Sequence, residues 1–231
     1  MWIRRAVLST ALLAALSLPA AASAQNVMLT SDRSCYGPNQ VISLTGYGFT
    51  PDSDVALSAD GQQLGLGIAD YDGIFSASLR APRLPFASLP LRFTATDQTY
   101  LLNRASTTVR LTALDVSVTP RGGDPTRPRR IRARGFFNGN ILYAHVRHSG
   151  HTRNVRLGNL QGPCRRLDVT RRLFGGGVRA GAYSLHFDTN RRYFRAAGPR
   201  VSYAVRIASV AKGPGAAAAA VAQASWVRLA P

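Results

Sequence analysis

Arg130, Arg132 and Arg134 alternate with Ile131 and Ala133, so on an extended chain three guanidiniums leave one face together. Arg166, Arg171 and Arg172 surround a second alternating run, in which Leu167 and Val169 are the apolar partners. A guanidinium is a planar fork that bonds two oxygens at once, which suits sulfate, phosphate and carboxylate groups. The charge balance points the same way. Residues 115–211 hold nineteen Arg against four Asp, a net of +15, whereas residues 25–114 hold six Arg against seven Asp, a net of −1. Arg supplies all but one of the 29 basic residues, and Glu is absent. A GC-rich genome would produce that bias too, but it acts on both halves alike and leaves the unequal split unexplained. The second half is the part expected to draw an anionic partner.

All four histidines also lie there. His145, His148 and His151 are three residues apart, so on a strand His145 and His148 point to opposite faces and cannot converge on one ion without a bend. His145 with His186 is the better pair, because both face outward if Ala144, Val146, Leu185 and Phe187 face inward. An unliganded outward surface is the expectation for both, with added charge in mildly acid surroundings. Asp70 and Asp72, like Asp52 and Asp54, offer oxygen ligands for Ca²⁺. Turn formation explains Asp-x-Asp-Gly equally well, since Asp bonds its own backbone and Gly73 accepts positive φ. No metal site and no cofactor is assigned. No Ser-His-Asp spacing is recognisable, and no raised-pKa carboxylate pair can be argued, so an enzyme is not expected.

The elements that must position these residues are strands. Helical periodicity is nearly absent beyond residue 25, and short alternating runs recur between Gly, Pro, Asp and Asn. They fall at 27–31, 41–45, 54–59, 63–68, 74–80, 91–97 and 106–113, then at 115–119, 129–135, 141–148, 153–158, 166–173, 182–188 and 201–209. Asp60-Gly61 and Asp72-Gly73 are turn dipeptides between them. Seven strands in about 90 residues, twice over, predicts an all-β chain of two tandem immunoglobulin-like β-sandwiches. The first covers residues 25–114 and is near-neutral; the second covers 115–212 and is strongly basic. The halves read as distant repeats, Ile42 to Phe49 matching Ile131 to Phe137, and Leu91 to Asp97 matching Tyr183 to Asp188. In such a sandwich the second and fifth strands are neighbours, so the six arginines named above should merge into one basic face with few acids. Tyr183 stands where a tyrosine hydroxyl pins a corner of the fold. Residues 213–231, rich in Ala and Gly, read as a disordered or marginally helical tail.

Between Val41 and Thr112 the chain carries Gly46-x-Gly48-Phe49-x-Pro51, Gly61-x-x-Leu64-Gly65, Ala69-Asp70-x-Asp72-Gly73-x-Phe75 and Thr94-Ala-Thr-Asp97. These motifs resemble the immunoglobulin-like repeats of bacterial surface and secreted proteins. The resemblance covers about a third of the chain and is weaker over residues 115–210. It implies a stalk or adhesion module without a catalytic centre, but function does not travel with such a fold.

The first 24 residues read as a bacterial export signal. Arg4 and Arg5 precede an apolar run from Ala6 to Leu18, Pro19 breaks it, and Ala22-Ser23-Ala24 offers small residues for cleavage. An uncleaved anchor is the competing reading. The mature chain is expected outside the cytoplasm, in the cell envelope or secreted, with no transmembrane segment. There Cys35 and Cys164, one in each half, could bridge the domains or stay as two thiols. A bridge would close a loop of nearly 130 residues and stabilise by roughly 4–5 kcal/mol in the chain-entropy account. The sequence thus predicts an exported, non-enzymatic protein whose second domain contacts an anionic polysaccharide or wall polymer. The alternative is a structural spacer or accessory module docking another envelope protein through an apolar patch. Nucleic acid is not favoured as a partner, because no aromatic stripe runs among the arginines.

Overall fold

Short runs of alternating apolar and polar residues can bury their apolar side only as sheets packed face to face. The computed structural model describes residues 26–84, 88–196, 198–210 and 221–229. The expected export signal, residues 1–24, lies outside them, as do residues 213–220 of the expected tail.

The first sandwich contains β1 (Met28–Ser31), β2 (Cys35–Tyr36), β3 (Val41–Tyr47), β4 (Asp54–Ala59), β5 (Gln62–Ile68), β6 (Phe75–Arg80), β7 (Ser88–Asp97) and β8 (Arg104–Thr112). Its sheets have the orders β1-β3-β6 and β2-β8-β7-β4-β5. The second contains β9 (Asp115–Thr119), β10 (Arg129–Arg134), β11 (Ile141–His148), β12 (His151–Asn159), β13 (Leu167–Arg171), β14 (Gly181–Asp188), β15 (Val201–Val210) and β16 (Val221–Arg228). Its sheets run β9-β10-β13 and β12-β11-β14-β15-β16. The run β5-β4-β7-β8 in one half reappears as β12-β11-β14-β15 in the other, and β3-β6 as β10-β13. That order identifies both halves as immunoglobulin-like sandwiches. Each has its own core, one running from Leu29 to Leu111 and the other from Val116 to Trp226.

The internal repeat is present, but its alignment moves by two residues. Gly48 and Gly135 each follow the last residue of a strand, at φ 77° and 78°, and each precedes a buried phenylalanine, Phe49 or Phe136. Gly135, not matched to Gly46, is therefore the counterpart of Gly48. A side chain at Gly135 would put its Cβ 2.6 Å from the Ala113 carbonyl oxygen, so the joint between sandwiches needs glycine here. The same shift gives the position of the core residue Ile42 to Arg129, which is fully buried. Arg129 donates to the carbonyls of Pro120, Gly122 and Asp124, and its guanidinium lies over Trp226 at 5.2 Å. Burial pushes its pKa below the ordinary arginine value.

The tail expectation is corrected. Val221–Arg228 pairs antiparallel with β15 over its whole length, from Val210↔Val221 to Tyr203↔Arg228. Ala224 and Trp226 enter the core, with Trp226 edge-on to Phe174 and Tyr203. Alternation of Ala222, Ala224 and Trp226 with Gln223, Ser225 and Val227 is a strand period, which the neighbouring run of alanines obscures. The two-residue strand β2 also had no readable period; it runs parallel to β8.

Cys35 on β2 and Cys164, between β12 and β13, are bonded, with Cα atoms 5.3 Å apart. Only Ala113 and Leu114 separate β8 from β9. Gly37 of the first sandwich lies under the Phe137 ring of the second. Bridge, short joint and packing together fix one sandwich against the other. Trp226→Ala should lower stability by about 3–5 kcal/mol, the usual cost of emptying a large aromatic from a core. A thermal melt unchanged by that substitution would mean that β16 is not part of the fold.

Candidate functional site

The six arginines singled out from the sequence lie on or beside β10 and β13, which pair with Ile131 opposite Val169 and Arg132 opposite Asp168. Arg130 and Arg132 are exposed, as the strand phase requires, and Arg134 is half-buried. The acids among them are few, as expected, but they stand between the guanidiniums and leave no continuous free face. Asp168 follows the same outward phase and accepts from Arg130 Nε (2.8 Å) and a terminal nitrogen (2.6 Å), and from Arg132 Nε (3.2 Å). The Arg130 bonds hold the Asp168 carboxyl below its usual range, and the carboxylate raises Arg130 in turn. Arg134 bonds Asp115, which also accepts from Arg228 on β16 at 2.7 Å. This part of the face spends its charge internally.

Part of the remaining charge gathers at the edge between the two sheets. An open groove of about 780 Å³ runs beside β12 and β13, floored by Leu157, Leu167 and Val169. Its polar lining is Arg132, Arg134, Arg166, Arg171, Asn159 and Gln161, with Asp168 the only acid in it. A second recess of about 470 Å³ is lined by Arg127, Arg153 and Arg172 with Thr126, Pro128, Phe174, Gly175 and Gly176, and by no acid. The two adjoin at the consecutive residues Arg171 and Arg172. Among the described residues no carboxylate lies within ion-pair distance of Arg153, Arg166, Arg171 or Arg172, while Arg127 meets Asp124 only at 3.9 Å. Gly175 leaves room for Arg153, since a Cβ there would lie 2.8 Å from its guanidinium. Arg127 and Arg153 had no local signal in the sequence; they come from separate elements and meet only in the folded sandwich.

His145 and His186 are not a solvated surface. His145 and His186 are register partners on β11 and β14 and share the outer face of the sheet. His145 is nevertheless 0% exposed, because Tyr193 and Arg200 fold over it. Its Nδ1 bonds Asn154 at 2.6 Å and its Nε2 bonds Asp188 at 3.0 Å, so neither nitrogen offers a lone pair to a metal. Asp188 also accepts from the Asn190 amide and from two nitrogens of Arg200. Burial alone would raise its carboxyl, but the bonds from His145, Asn190 and Arg200 outweigh it and leave the pKa lowered. Tyr193 lies between Arg147 and Arg200, whose guanidiniums stand 4.5 and 4.6 Å from its ring centre. His186 bonds Ser202 and Ser184. Burial, then the charges of Arg200, Arg147 and His145, depress it to about 4, so it stays neutral in mildly acid surroundings rather than adding charge.

The other candidates are structural. Asp70 accepts from the amides of Asp72 and Ile74, closing a turn. Among the described residues no cluster of His, Cys, Asp or Glu could hold a metal ion. Tyr183 donates to the Arg179 carbonyl at 2.9 Å and pins its corner. No helix among the described residues is long and apolar enough to cross a membrane.

No protein-family model and no curated protein matches the sequence. Among solved structures the chain is similar to the ligand-binding domain of human OSCAR, at 12% identity and a TM-score of 0.33 over 88% of this chain and 97% of that one. It is also similar to a tetra-tandem repeat from the extending region of a large adhesion protein, at 14% identity and a TM-score of 0.28 over 88% of this chain. The chain spans about half of that second structure, 48% of its length.

A histidine depressed to about 4 from the ordinary 6.5 takes up its proton later in the folded than in the unfolded chain. Its contribution is complete above pH 6.5 and is lost as pH falls from there towards 4. The melting temperature should decline across that window, and His186→Asn should flatten part of the decline. An NMR titration of the His186 ring with a midpoint near 6.5 would contradict the burial described.

Proposed function

We propose that this chain is an exported, non-enzymatic binding protein of the bacterial cell envelope, whose second sandwich holds an anionic polymer along the edge between β12 and β13. One observation carries the reading: two adjoining recesses with seven arginines and a single acid in their lining. The polymer expected is an anionic polysaccharide or wall polymer, each sulfate, phosphate or carboxylate meeting a guanidinium fork. Nucleic acid is disfavoured because neither recess offers an exposed ring on which bases could stack. A buried Cys35–Cys164 bridge is consistent with an oxidising compartment outside the cytoplasm. Binding is preferred over catalysis because the closest acid–base pair, His145 with Asp188, is sealed from any substrate. The alternative, an accessory module docking another envelope protein, would use the exposed aliphatics of β5 instead, and its complexes should survive high salt.

Heparin serves as the test polymer. Replacing Arg166, Arg171 and Arg172 together with Ser should weaken binding roughly 100-fold at low salt, on the basis of about 1 kcal/mol for each charge contact in water. The thermal melt should not move, since all three are exposed and none holds a carboxylate among the described residues. Arg130→Ser with Arg132→Ser should cost far less, because Asp168 already occupies both. Heparin retention undiminished by the triple replacement would reject this edge as the site.

A further inference from the structure

Strand β5 is built inside out. Gly65 and Gly67 lie opposite the core residues Leu57 and Val55, and a Cβ on Gly67 would stand 2.6 Å from the Phe75 ring. Glycine is what lets β5 close over that ring. The aliphatic residues between them turn to solvent instead: Leu64, Leu66 and Ile68 are 50%, 63% and 68% exposed. Strand β5 is also the edge of its sheet, paired with β4 alone among the described residues, which leaves its other side open to a further strand. Soluble proteins guard such an edge with charge, proline or a bulge. Residues 61–69 contain no charged residue and no proline; the one irregularity in pairing, between Leu57 and Ser58, leaves Leu64 without a partner on β4 but keeps Leu66 and Ile68 in regular register.

We propose that β5 pairs antiparallel with β5 of a second copy of this chain, about a two-fold axis through Leu66. That register sets Leu66 opposite itself, Leu64 opposite Ile68 and Gly65 opposite Gly67, so the exposed aliphatics of both strands form one ladder. It joins two five-stranded sheets into one and uses the isologous contact that closed dimers require. The occupant is a second copy because the strand is self-complementary in this register and because of the charge split. Two second sandwiches at +15 repel, whereas two first sandwiches at −1 do not, and the uncharged edge lies on the first. The dimer does not depend on the polyanion reading. If that reading also holds, one dimer presents two basic edges to one polymer and gains from bivalence.

Sedimentation equilibrium of the full chain tests the pairing. The wild-type protein should sediment at twice the mass of the chain. Leu66→Lys should weaken the dimer at least tenfold, roughly the effect of burying an unpaired charge, with its circular-dichroism spectrum unchanged. Under mild oxidation Leu66→Cys should form a covalent dimer, while Leu102→Cys, 98% exposed on a different turn, should not. A wild-type chain that stays monomeric at about 0.1 mM overturns the proposal, whatever other strand the edge then accepts. So does a dimer indifferent to Leu66→Lys, or equal cross-linking through positions 66 and 102.

Discussion

In the second sandwich, β16 included, twenty arginines share four carboxylates, and where those four stand decides which guanidiniums remain available. Asp115 takes Arg134 and Arg228, Asp168 takes Arg130 and Arg132, Asp188 takes Arg200 with His145, and Asp124 stands beside Arg127. Asp115 and Asp168 therefore each neutralise two guanidiniums. An exposed pair contributes little to stability, so the main effect of Asp168 is to cancel the potential over the middle of β10. Of the arginines with no carboxylate among the described residues, Arg153, Arg166, Arg171 and Arg172 are the ones that the two recesses bring together, while others such as Arg121, Arg165, Arg179 and Arg206 stand outside them. The proposed anion site thus rests on the placement of carboxylates rather than on the number of arginines.

The two repeats show how one scaffold position was turned to different uses. Asp97 ends β7 and Asp188 ends β14, at matching places in their sheets. Asp97 accepts from the amides of Thr50, Thr99 and Tyr100; burial would raise its carboxyl, but those bonds bring it to about 2. Asp188 keeps the amide two residues on, from Asn190, but turns its remaining capacity to His145 and Arg200. In the first sandwich the group ties backbone to backbone. In the second it anchors the cover of Tyr193 and Arg200 over the sheet, which removes His145 from solvent and leaves that face unsuited to a metal. A similar contrast separates Ile42 from Arg129, an aliphatic core position in one repeat and a carbonyl-bound guanidinium in the other.

Much of the fold was legible because strand period and turn chemistry are local. Fourteen strand runs, the Asp60-Gly61 hairpin, the Tyr183 corner and the outward phase of Arg130, Arg132 and Arg134 all follow from residues within a few positions of one another. What the sequence left unread depends on register or on long-range cover. Asp168 has the same outward phase as Arg166, but only the pairing of β10 with β13 brings it between Arg130 and Arg132. His145 has an outward phase and is still buried, because its cover comes from residues near 193 and 200. Strand β16 sits beside an alanine run whose composition suggested helix or coil. The reversal of β5, with glycine inward and leucine outward, is not fixed by alternation alone, since a period of two does not say which face is buried.

A backbone and arginine Nε–Hε NMR titration with a heparin-derived oligosaccharide tests the distribution of available charge directly. The signals of Arg153, Arg166, Arg171 and Arg172 should shift first and furthest, while those of Arg130, Arg132 and Arg200, already held by Asp168 and Asp188, stay nearly still. Largest shifts at Arg130 and Arg132, or shifts spread evenly over both sandwiches, would contradict the account.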